Sequence, residues 1–239
     1  PRVSSPSRPP AGGTVRLLRR KARTFDIQVQ DLLLHVTAPE DVEEEARAAA
    51  LSFWEQLQAY SLQHPEFRSS KRPIAVPREA PVIVREMCAA AARAGVGPMY
   101  AFRGAVADQV GRFLARSLPE VSVRCGGDHF IVSRRRMKLT VHRRAAGPIA
   151  VVVQPRRDGV GVCTTLGRGR AALGADGLAV LASSCMLADA AAAGVEALLP
   201  KEGGLEAALR YLREVPGVLG GLVILDERIG VSGGVELAA

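Results

Sequence analysis

Aromatic side chains are scarce in this 239-residue chain, in which Phe, Trp and Tyr together make up 4% of the residues. A core built around large rings is therefore excluded, and the 48% of hydrophobic residues must pack mainly as Ala, Val and Leu. Small side chains let helices and sheets approach closely in a densely packed interior. The chain is long enough to bury a substantial core, as one large domain or two closely packed lobes.

Paired cysteines are also missing. The four Cys residues stand far apart, at Cys88, Cys125, Cys163 and Cys185. Because no C-x-x-C spacing is present, the usual zinc ribbon and redox dithiol are excluded. Nothing resembles the disulfide framework of a secreted domain, so reduced thiols and a cytoplasmic location are expected.

Long apolar runs are absent. No stretch approaches the roughly 20 apolar residues that span a bilayer, and no apolar segment follows the basic N-terminal residues as in a signal peptide. We therefore expect no membrane segment. Residues 1–13 are rich in Pro, Ser, Arg and Gly and predict a flexible basic tail. Residues 14–239 are expected to form a single domain or two intimately packed lobes.

Several enzyme signatures are missing as well. The chain has no G-x-S-x-G elbow and no P-loop lysine. Its four histidines are too dispersed for zinc-ligand spacing, so each is predicted to be structural or exposed. Serine-hydrolase and P-loop chemistry are therefore not supported, and no catalytic residue can be assigned from such motifs.

Positive charge is in excess, with a formal net charge of +8. Two segments concentrate it: residues 1–23, which contain no acid, and residues 124–144, where Asp128 is the only acid. Basic patches attract phosphate-bearing partners, either nucleic acid or small nucleotide ligands, although solvated surface arginines produce the same composition. The scarcity of aromatic residues near both segments argues against binding of stacked single strands.

Hydrophobic periodicity predicts mixed α and β structure. Alternation over 25–30 and an apolar run over 32–36 indicate a β-hairpin. Helices are predicted over about 39–64, 81–93, onward from 98, 186–199 and 204–213, with an irregular loop at 65–80. Strands are predicted over 121–124, 130–133, 137–142, 149–154, 159–164, 178–181, 219–225 and 229–231. Helices and strands do not alternate strictly, as they would in a doubly wound parallel sheet. We therefore expect an α/β (α+β) fold with mixed or antiparallel sheets packed by Ala-rich helices.

The helix beginning near Pro98 has a distinct pattern. Its large apolar residues, at positions 102, 106, 110 and 113, should face the core, while Asp108 lies on a second face made of small residues. Ala107-Asp108 in this helix resembles Ala188-Asp189 in the Ala-rich helix, and each pair precedes a Gly-Gly segment. This indicates a faint internal duplication, although Ala-rich helices resemble one another easily.

Two glycine segments are candidate binding sites. The first, at a helix start, consists of Gly97, Pro98 and Met99. Its backbone N–H groups suit an anion, but a tight interhelical turn with a proline start also explains it. The second, which interrupts two strands, consists of Gly126, Gly127 and Asp128. Paired glycines there mark either a close approach by a ligand or a hairpin turn with a solvated Asp.

Two further segments follow later in the chain. In the first, a predicted strand ends in two hydroxyl residues followed by a basic turn, and both could contact phosphate. An exposed strand end also explains this pattern. The candidate residues are Thr164, Thr165, Gly167 and Arg168. Asp189 stands among small apolar residues on the Ala-rich helix. A carboxylate there is costly to bury unless it is paired or bound to a metal, so Asp189 is a candidate functional residue.

These segments together resemble a small family related to the ApbE flavin transferases and found in methanogens and methylotrophs. The resemblance runs in order over about residues 24–236, through HPEF at 64–67, AGVGPM at 94–99, Gly126-Gly127-Asp128, GVCTT at 161–165 and LADAAA at 187–192. It implies an ApbE-like, tunnelling-type fold and the transfer of FMN from FAD to a protein threonine with magnesium. Carried over, Gly126, Gly127 and Asp128 would line the cleft, Thr164 and Thr165 would lie by the phosphates, and Asp189 would bind the metal.

This chain departs from the family pattern at three places. Ala193 stands where a threonine usually joins the aspartate at the metal, and Cys125 replaces an Asn. The loop that follows Thr165 is shortened and contains Arg168 and Arg170. Losing side-chain oxygens should weaken magnesium binding, and one of these arginines would then supply the positive charge near phosphate.

Three functions remain open from the sequence. The first is an enzyme or binding protein for a phosphate-bearing heterocycle, of flavin or pterin type, with a role in one-carbon cofactor synthesis suggested by association only. FAD, FMN or magnesium would be its ligands. The second is a non-catalytic scaffold or interaction module. The third, ranked last, is a nucleic-acid-binding protein. A homo-oligomer is expected, but no sequence feature tests it.

Overall fold

A computed structural model describes residues 22–143, 147–165, 175–226 and 228–238. The helices in these ranges are α1 (Glu43–Gln63), α2 (Pro65–Ser69), α3 (Val82–Ala94), α4 (Phe102–Leu114), α5 (Cys185–Leu198) and α6 (Gly204–Glu214). A 3-10 turn, Pro98–Ala101, leads directly into α4. The expected tail at 1–13 lies outside the described residues, so the division into a tail and a domain stays a prediction.

Eleven strands are present in the same ranges. They are β1 (Arg23–Val29), β2 (Leu32–Ala38), β3 (Val121–Cys125), β4 (Asp128–Ser133), β5 (Met137–Val141), β6 (Ile149–Val153), β7 (Arg156–Thr165), β8 (Gly177–Ala182), β9 (Val218–Leu225), β10 (Arg228–Gly233) and β11 (Glu236–Ala238). The mixture of helices and antiparallel strands confirms the predicted α+β fold class.

Eight of the strands form one sheet in the order β1-β2-β3-β4-β7-β8-β9-β10, and every neighbouring pair is antiparallel. The order of elements repeats along the chain. Two paired strands, a helical segment and two more paired strands occur first as β1 to β4 and again as β7 to β10. Pairing between β4 and β7 joins the two halves. The faint duplication in the sequence therefore has a counterpart in this repeated order.

The two faces of the large sheet are buried against different partners. Helices cover one face, and the small sheet β11-β6-β5 covers part of the other. Since side chains alternate along a strand, neighbouring residues of β7 enter different cores. Cys163 belongs to the cluster on the helix side, whereas Val162 belongs to the cluster under the small sheet.

The predicted hairpin at the start of the chain is confirmed. β1 and β2 pair in register from Arg23↔Ala38 to Val29↔Leu32, so the connecting turn has two residues. Its first residue, Gln30, has a φ of 52°, which is the left-handed conformation that tight hairpin turns require. Among the described residues, no helix is long and apolar enough to cross a membrane.

The structure corrects two local predictions and adds one strand. Residues 65–69 of the predicted irregular loop form the short helix α2, because Pro65 is preorganised for its first position and Phe67 is fully buried beneath it. Phe113 was expected in the core but is 38% exposed, and the guanidinium of Arg116 lies 6.0 Å from its ring centre. The short strand β11 has no period of its own and was not predicted.

Candidate functional site

The turn between β3 and β4 forms one wall of the candidate site. Gly126, with a φ of 63°, makes this two-residue turn possible, and Cys125 pairs with Asp128 across it. Gly127 lies directly against the end of β7, where its carbonyl accepts hydrogen bonds from the Thr164 N–H at 2.7 Å and from Thr164 Oγ1 at 3.1 Å. A Cβ on Gly127 would overlap the Thr164 carbonyl oxygen, so this close approach requires glycine.

Asp128 begins β4 and is directed toward the helix-covered face. It is paired in register with Cys163 of β7, and both side chains are buried, with exposures of 4% and 3%. The Cys163 thiol is hydrogen-bonded to the Asp128 carboxylate, and burial, followed by the charges of Asp128 and Asp189, holds the pKa of Cys163 well above its ordinary value. At neutral pH this thiol is therefore protonated and donates to the carboxylate.

Asp189 reaches the same place from α5. It is 8% exposed, and its Oδ2 accepts the backbone N–H of Gly104 in α4 at 3.1 Å. The two helices approach so closely that a Cβ on Gly104 would lie 2.9 Å from the Asp189 Cβ. Asp189 is therefore buried, and it receives a hydrogen bond from a second helix.

Asp128, Cys163 and Asp189 form one cluster. Their potential ligand atoms all lie within 4.8 Å of one another. Two carboxylates and a thiol suit a divalent cation, with the carboxylates as the natural ligands for magnesium and the sulfur preferring a softer ion. Ala193 offers no side-chain oxygen on the next turn of α5. The donor set therefore fits a cation through its two carboxylates.

Two more buried thiols surround this cluster. Burial raises the pKa of Cys125 to about 12, and the carboxylate of Asp128 adds to the rise. Burial and the same carboxylate also raise the pKa of Cys185 well above its ordinary value. Since the thiolate is the reactive form, these cysteines are not poised as nucleophiles. They surround the carboxylates with neutral, weakly polar groups.

Arg103 is a site residue that the sequence analysis missed. It lies in the first turn of α4 and is exposed. A Cβ on Gly126 would lie 3.5 Å from its Cδ and 3.7 Å from its Nη1, so the arginine passes over the glycine turn. A cation in the first turn of a helix opposes the helix dipole. That unfavourable placement is the signal in the sequence that could have identified it.

The end of β7 completes the described part of the site. Thr164 is buried, and Thr165 is half-buried with an Oγ1 that has no hydrogen-bond partner within the described part of the chain. The Thr165 hydroxyl is therefore a covered donor without a partner among these residues, and its contact with a ligand stays a prediction. The predicted site residues that follow, Gly167 and Arg168, lie outside the described residues, as does Arg170.

The predicted segment Gly97–Met99 occupies the turn before α4. Gly97 packs against the backbone of Ser70 and Lys71, and a Cβ there would overlap the Ser70 carbonyl. Pro98 opens the 3-10 turn and is buried, and Met99 is half-buried. Chain packing thus accounts for the glycine, and a contact between this segment and a ligand stays a prediction.

Comparison with known proteins identifies relatives over most of the chain. The family model described as "AbpE bacteria" matches residues 15–200. A UPF0280 protein of Methanopyrus kandleri is 32% identical over 216 residues, covering 87% of this chain and 88% of that protein. A UPF0280 protein of Methanocella arvoryzae is 28% identical over 218 residues, covering 88% and 89%. Among solved structures, the apo form of the flavinyl transferase ApbE from Pseudomonas stutzeri matches with a TM-score of 0.57 at 15% identity, over 91% of this chain and 94% of that one. At this identity the structural likeness concerns the fold.

Proposed function

This chain belongs to the "AbpE bacteria" family and has an ApbE-like fold, and on that premise we propose that its cleft binds a phosphate-bearing heterocycle, a flavin nucleotide in the first instance, and acts on it as a transferase. The observation that carries the proposal is the convergence of Asp128, Cys163 and Asp189, from three distant segments, next to the Gly126–Gly127 turn that packs on Thr164.

Each part of the cleft has a task that suits such a ligand. The glycine turn lets Arg103 pass over Gly126 and lets Gly127 pack on Thr164, which holds the arginine beside the Asp128 end of β4. The free hydroxyl of Thr165 would donate to a phosphate oxygen, and Arg103 would attract the anion electrostatically. Gly167 and Arg168 follow Thr165 in the chain and are proposed to continue the phosphate contact.

Asp128 and Asp189 are the residues that would hold a divalent cation. When bound, the cation would neutralise phosphate charge and make the phosphoryl group more electrophilic. Without it, two buried carboxylates would repel a phosphate-bearing ligand. Ligand binding is therefore expected to depend on the cation, and the side-chain oxygen missing at Ala193 is expected to make the cation weakly bound.

A non-catalytic scaffold is the second candidate. It is favoured by Ala193 and by the three protonated thiols around the carboxylates, since none of these groups supplies a nucleophile or a base. Under this alternative the cleft binds no flavin or binds it without turnover. A role in one-carbon cofactor synthesis is proposed by association only, because relatives occur in Methanopyrus and Methanocella.

A fluorescence titration with FAD, with and without magnesium, tests the proposal. Saturable, magnesium-dependent binding is expected in the wild type. Asp189→Asn should weaken binding by at least tenfold, because the negative charge that attracts the cation is lost. The amide oxygen can still accept the Gly104 N–H, so the contact between α4 and α5 is kept. The matched control is Asp158→Asn, an exposed acid at the opposite end of β7, which should bind normally.

Two results would overturn parts of the proposal. If the wild type binds FAD under neither condition, the flavin assignment fails, and the same titration with a pterin decides whether the ligand class survives. If FAD binds but incubation with a threonine-containing acceptor protein yields no covalent flavin, the transferase assignment fails and the binding role remains.

A further inference from the structure

Asp108 of α4 is a buried acid that takes no direct part in the cleft. It is 1% exposed, and its Oδ2 accepts the backbone N–H groups of Cys185 at 3.0 Å and Met186 at 3.3 Å. These are the first two residues of α5, whose N–H groups have no partner within their own helix. The carboxylate therefore caps α5 from a neighbouring helix, where its negative charge also suits the helix dipole.

The capping is reciprocal. Asp189 of α5 accepts the N–H of Gly104 in the first turn of α4, just as Asp108 accepts that of Cys185 in the first turn of α5. In each helix the acceptor follows the donor by one turn. The two helices are thus joined by a pair of hydrogen-bonded contacts whose acceptors are Asp108 and Asp189, and one of these acceptors is also a candidate ligand residue of the cleft.

Packing leaves little freedom at this contact. A Cβ on Gly104 would overlap the Cys185 carbonyl, and a Cβ on Gly161 of β7 would overlap the Cys185 N–H. The Ser184 Oγ accepts the Leu187 N–H and completes the cap. The start of α5 is therefore held between α4 and β7, and Asp189 follows one turn later.

We infer that Asp108 is a positioning residue, which holds the first turn of α5 so that the Asp189 carboxylate lies beside Asp128 and Cys163. The inference rests on the proposed function, because it assumes that a ligand or cation is bound at that cluster. A displacement of about 1 Å at such a site can reduce function about a hundredfold.

A purely stabilising role explains Asp108 poorly. Burial raises its pKa to about 6, against the opposing effects of Arg112 and the capped N–H groups, so the ionised form is held at a net cost at neutral pH. Arg112 approaches Asp108 at 3.5 Å and also pairs with Glu86. A residue kept at a cost to stability in contact with a candidate site is typical of functional positions.

The experiment compares four variants in the FAD titration, each checked by circular dichroism to be folded at the assay temperature. Asp108→Ala should raise the Kd for FAD about tenfold or more. Asp108→Asn should stay within about threefold of wild type, because its amide oxygen accepts the same N–H groups. Asp108→Glu keeps the charge but moves the carboxylate by one methylene, so it should also weaken binding. It takes the place of Asp108→Ala if that variant does not fold. Glu86→Gln, which alters the outer part of the same network, should bind normally.

Hydrogen exchange of the segment that starts α5 is measured on the same proteins. Faster exchange at 185–189 is expected in Asp108→Ala and not in Glu86→Gln. Normal FAD affinity in a folded Asp108→Ala or Asp108→Glu variant, or equal loss in Glu86→Gln, would overturn the inference while leaving the proposed function intact. If wild-type protein binds no FAD, the proposed function fails, and unchanged exchange at 185–189 in Asp108→Ala would independently refute the positioning role.

Discussion

Replacing Asp108 by Asn should stabilise the folded protein at neutral pH and leave it unchanged in acid. Burial is the main reason that the pKa of Asp108 rises from 3.8 to about 6, and the neighbouring charge of Glu86 adds to it. Arg112 and the backbone N–H groups of Met186 and Cys185 only partly offset the loss of hydration. The neutral form is therefore preferred in the folded protein relative to water.

The magnitude follows from the difference between the two pKa values. One pKa unit corresponds to about 1.4 kcal/mol, so ionised Asp108 costs the folded state about 3 kcal/mol relative to the protonated form. The folded protein binds this proton more tightly than the unfolded chain does. The free energy of unfolding therefore decreases as pH rises from about 4 to about 6 and stays lower above that range. Asn resembles the protonated acid and lacks this decrease.

The assay is chemical denaturation of wild type and Asp108→Asn at several pH values between 4 and 8. The variant should exceed the wild type by up to about 3 kcal/mol at pH 7, equivalent to about 6–12 °C in Tm for a chain of this size, and the two should converge near pH 4. Asp158→Asn, an exposed substitution of the same chemistry, serves as the control. A constant difference between Asp108→Asn and wild type across this range would refute the reasoning, as would a lower stability of the variant at pH 7.

Three further predictions concern other buried positions. His129 is fully buried, and neither ring nitrogen has a hydrogen-bond partner among the described residues. Burial, followed by the charge of nearby Arg124, lowers its pKa to about 3. The free energy of unfolding of the wild type should therefore fall by up to about 5 kcal/mol as pH falls from about 6.5 toward 3, and His129→Leu should lack that loss in pH-dependent denaturation. Gly127→Ala should lower the free energy of unfolding by about 1–3 kcal/mol, because its Cβ would overlap the Thr164 carbonyl of β7. The control is Gly147→Ala, whose Cβ meets nothing within 4 Å and which should change the free energy of unfolding by less than about 0.5 kcal/mol. Equal effects of the two substitutions would contradict the packing argument. Tyr211→Phe removes the 2.7 Å hydrogen bond from Tyr211 to the carbonyl of α3's last residue and should cost about 1 kcal/mol in urea unfolding, while an unchanged midpoint would indicate that water replaces the hydroxyl.

Local features of the fold could be predicted because local physics specifies them. The alternation over 25–30 and the apolar run over 32–36 require a hairpin with its apolar side chains on one face, and the structure has that hairpin. Proline ended the first helix at the predicted place, since α1 ends at Gln63. Phe113 was assigned to the core wrongly because the helical period alone does not show which residues of the helix the tertiary structure covers. The helical period identifies a stripe of large residues, and Val106 and Val110 of that stripe are buried as predicted. α4 also buries small residues against α5 and β4, where Gly111 lies against the Phe130 ring.

The candidate site shows the same division. Amino-acid type and local context identified Asp128 and Asp189 as acids in unusual surroundings and Gly127 as a glycine with a special role, and the resemblance to a known family related them to one another. Their proximity depends on the β4–β7 register, which pairs Asp128 with Cys163, and on the close approach of α4 to α5. Such long-range pairings leave no local periodicity in the chain.

The sequence by itself determined the α+β class, the hairpins, the helix ends and the scarcity of large side chains that permits close packing. Only the tertiary structure decided that Asp108 caps α5, that Arg103 lies over the glycine turn, and that two acids and a thiol meet within 4.8 Å. The physical reason is that these contacts join segments far apart in the chain, whose relative positions are set by the packing of the whole core and not by the conformational preferences of any one segment.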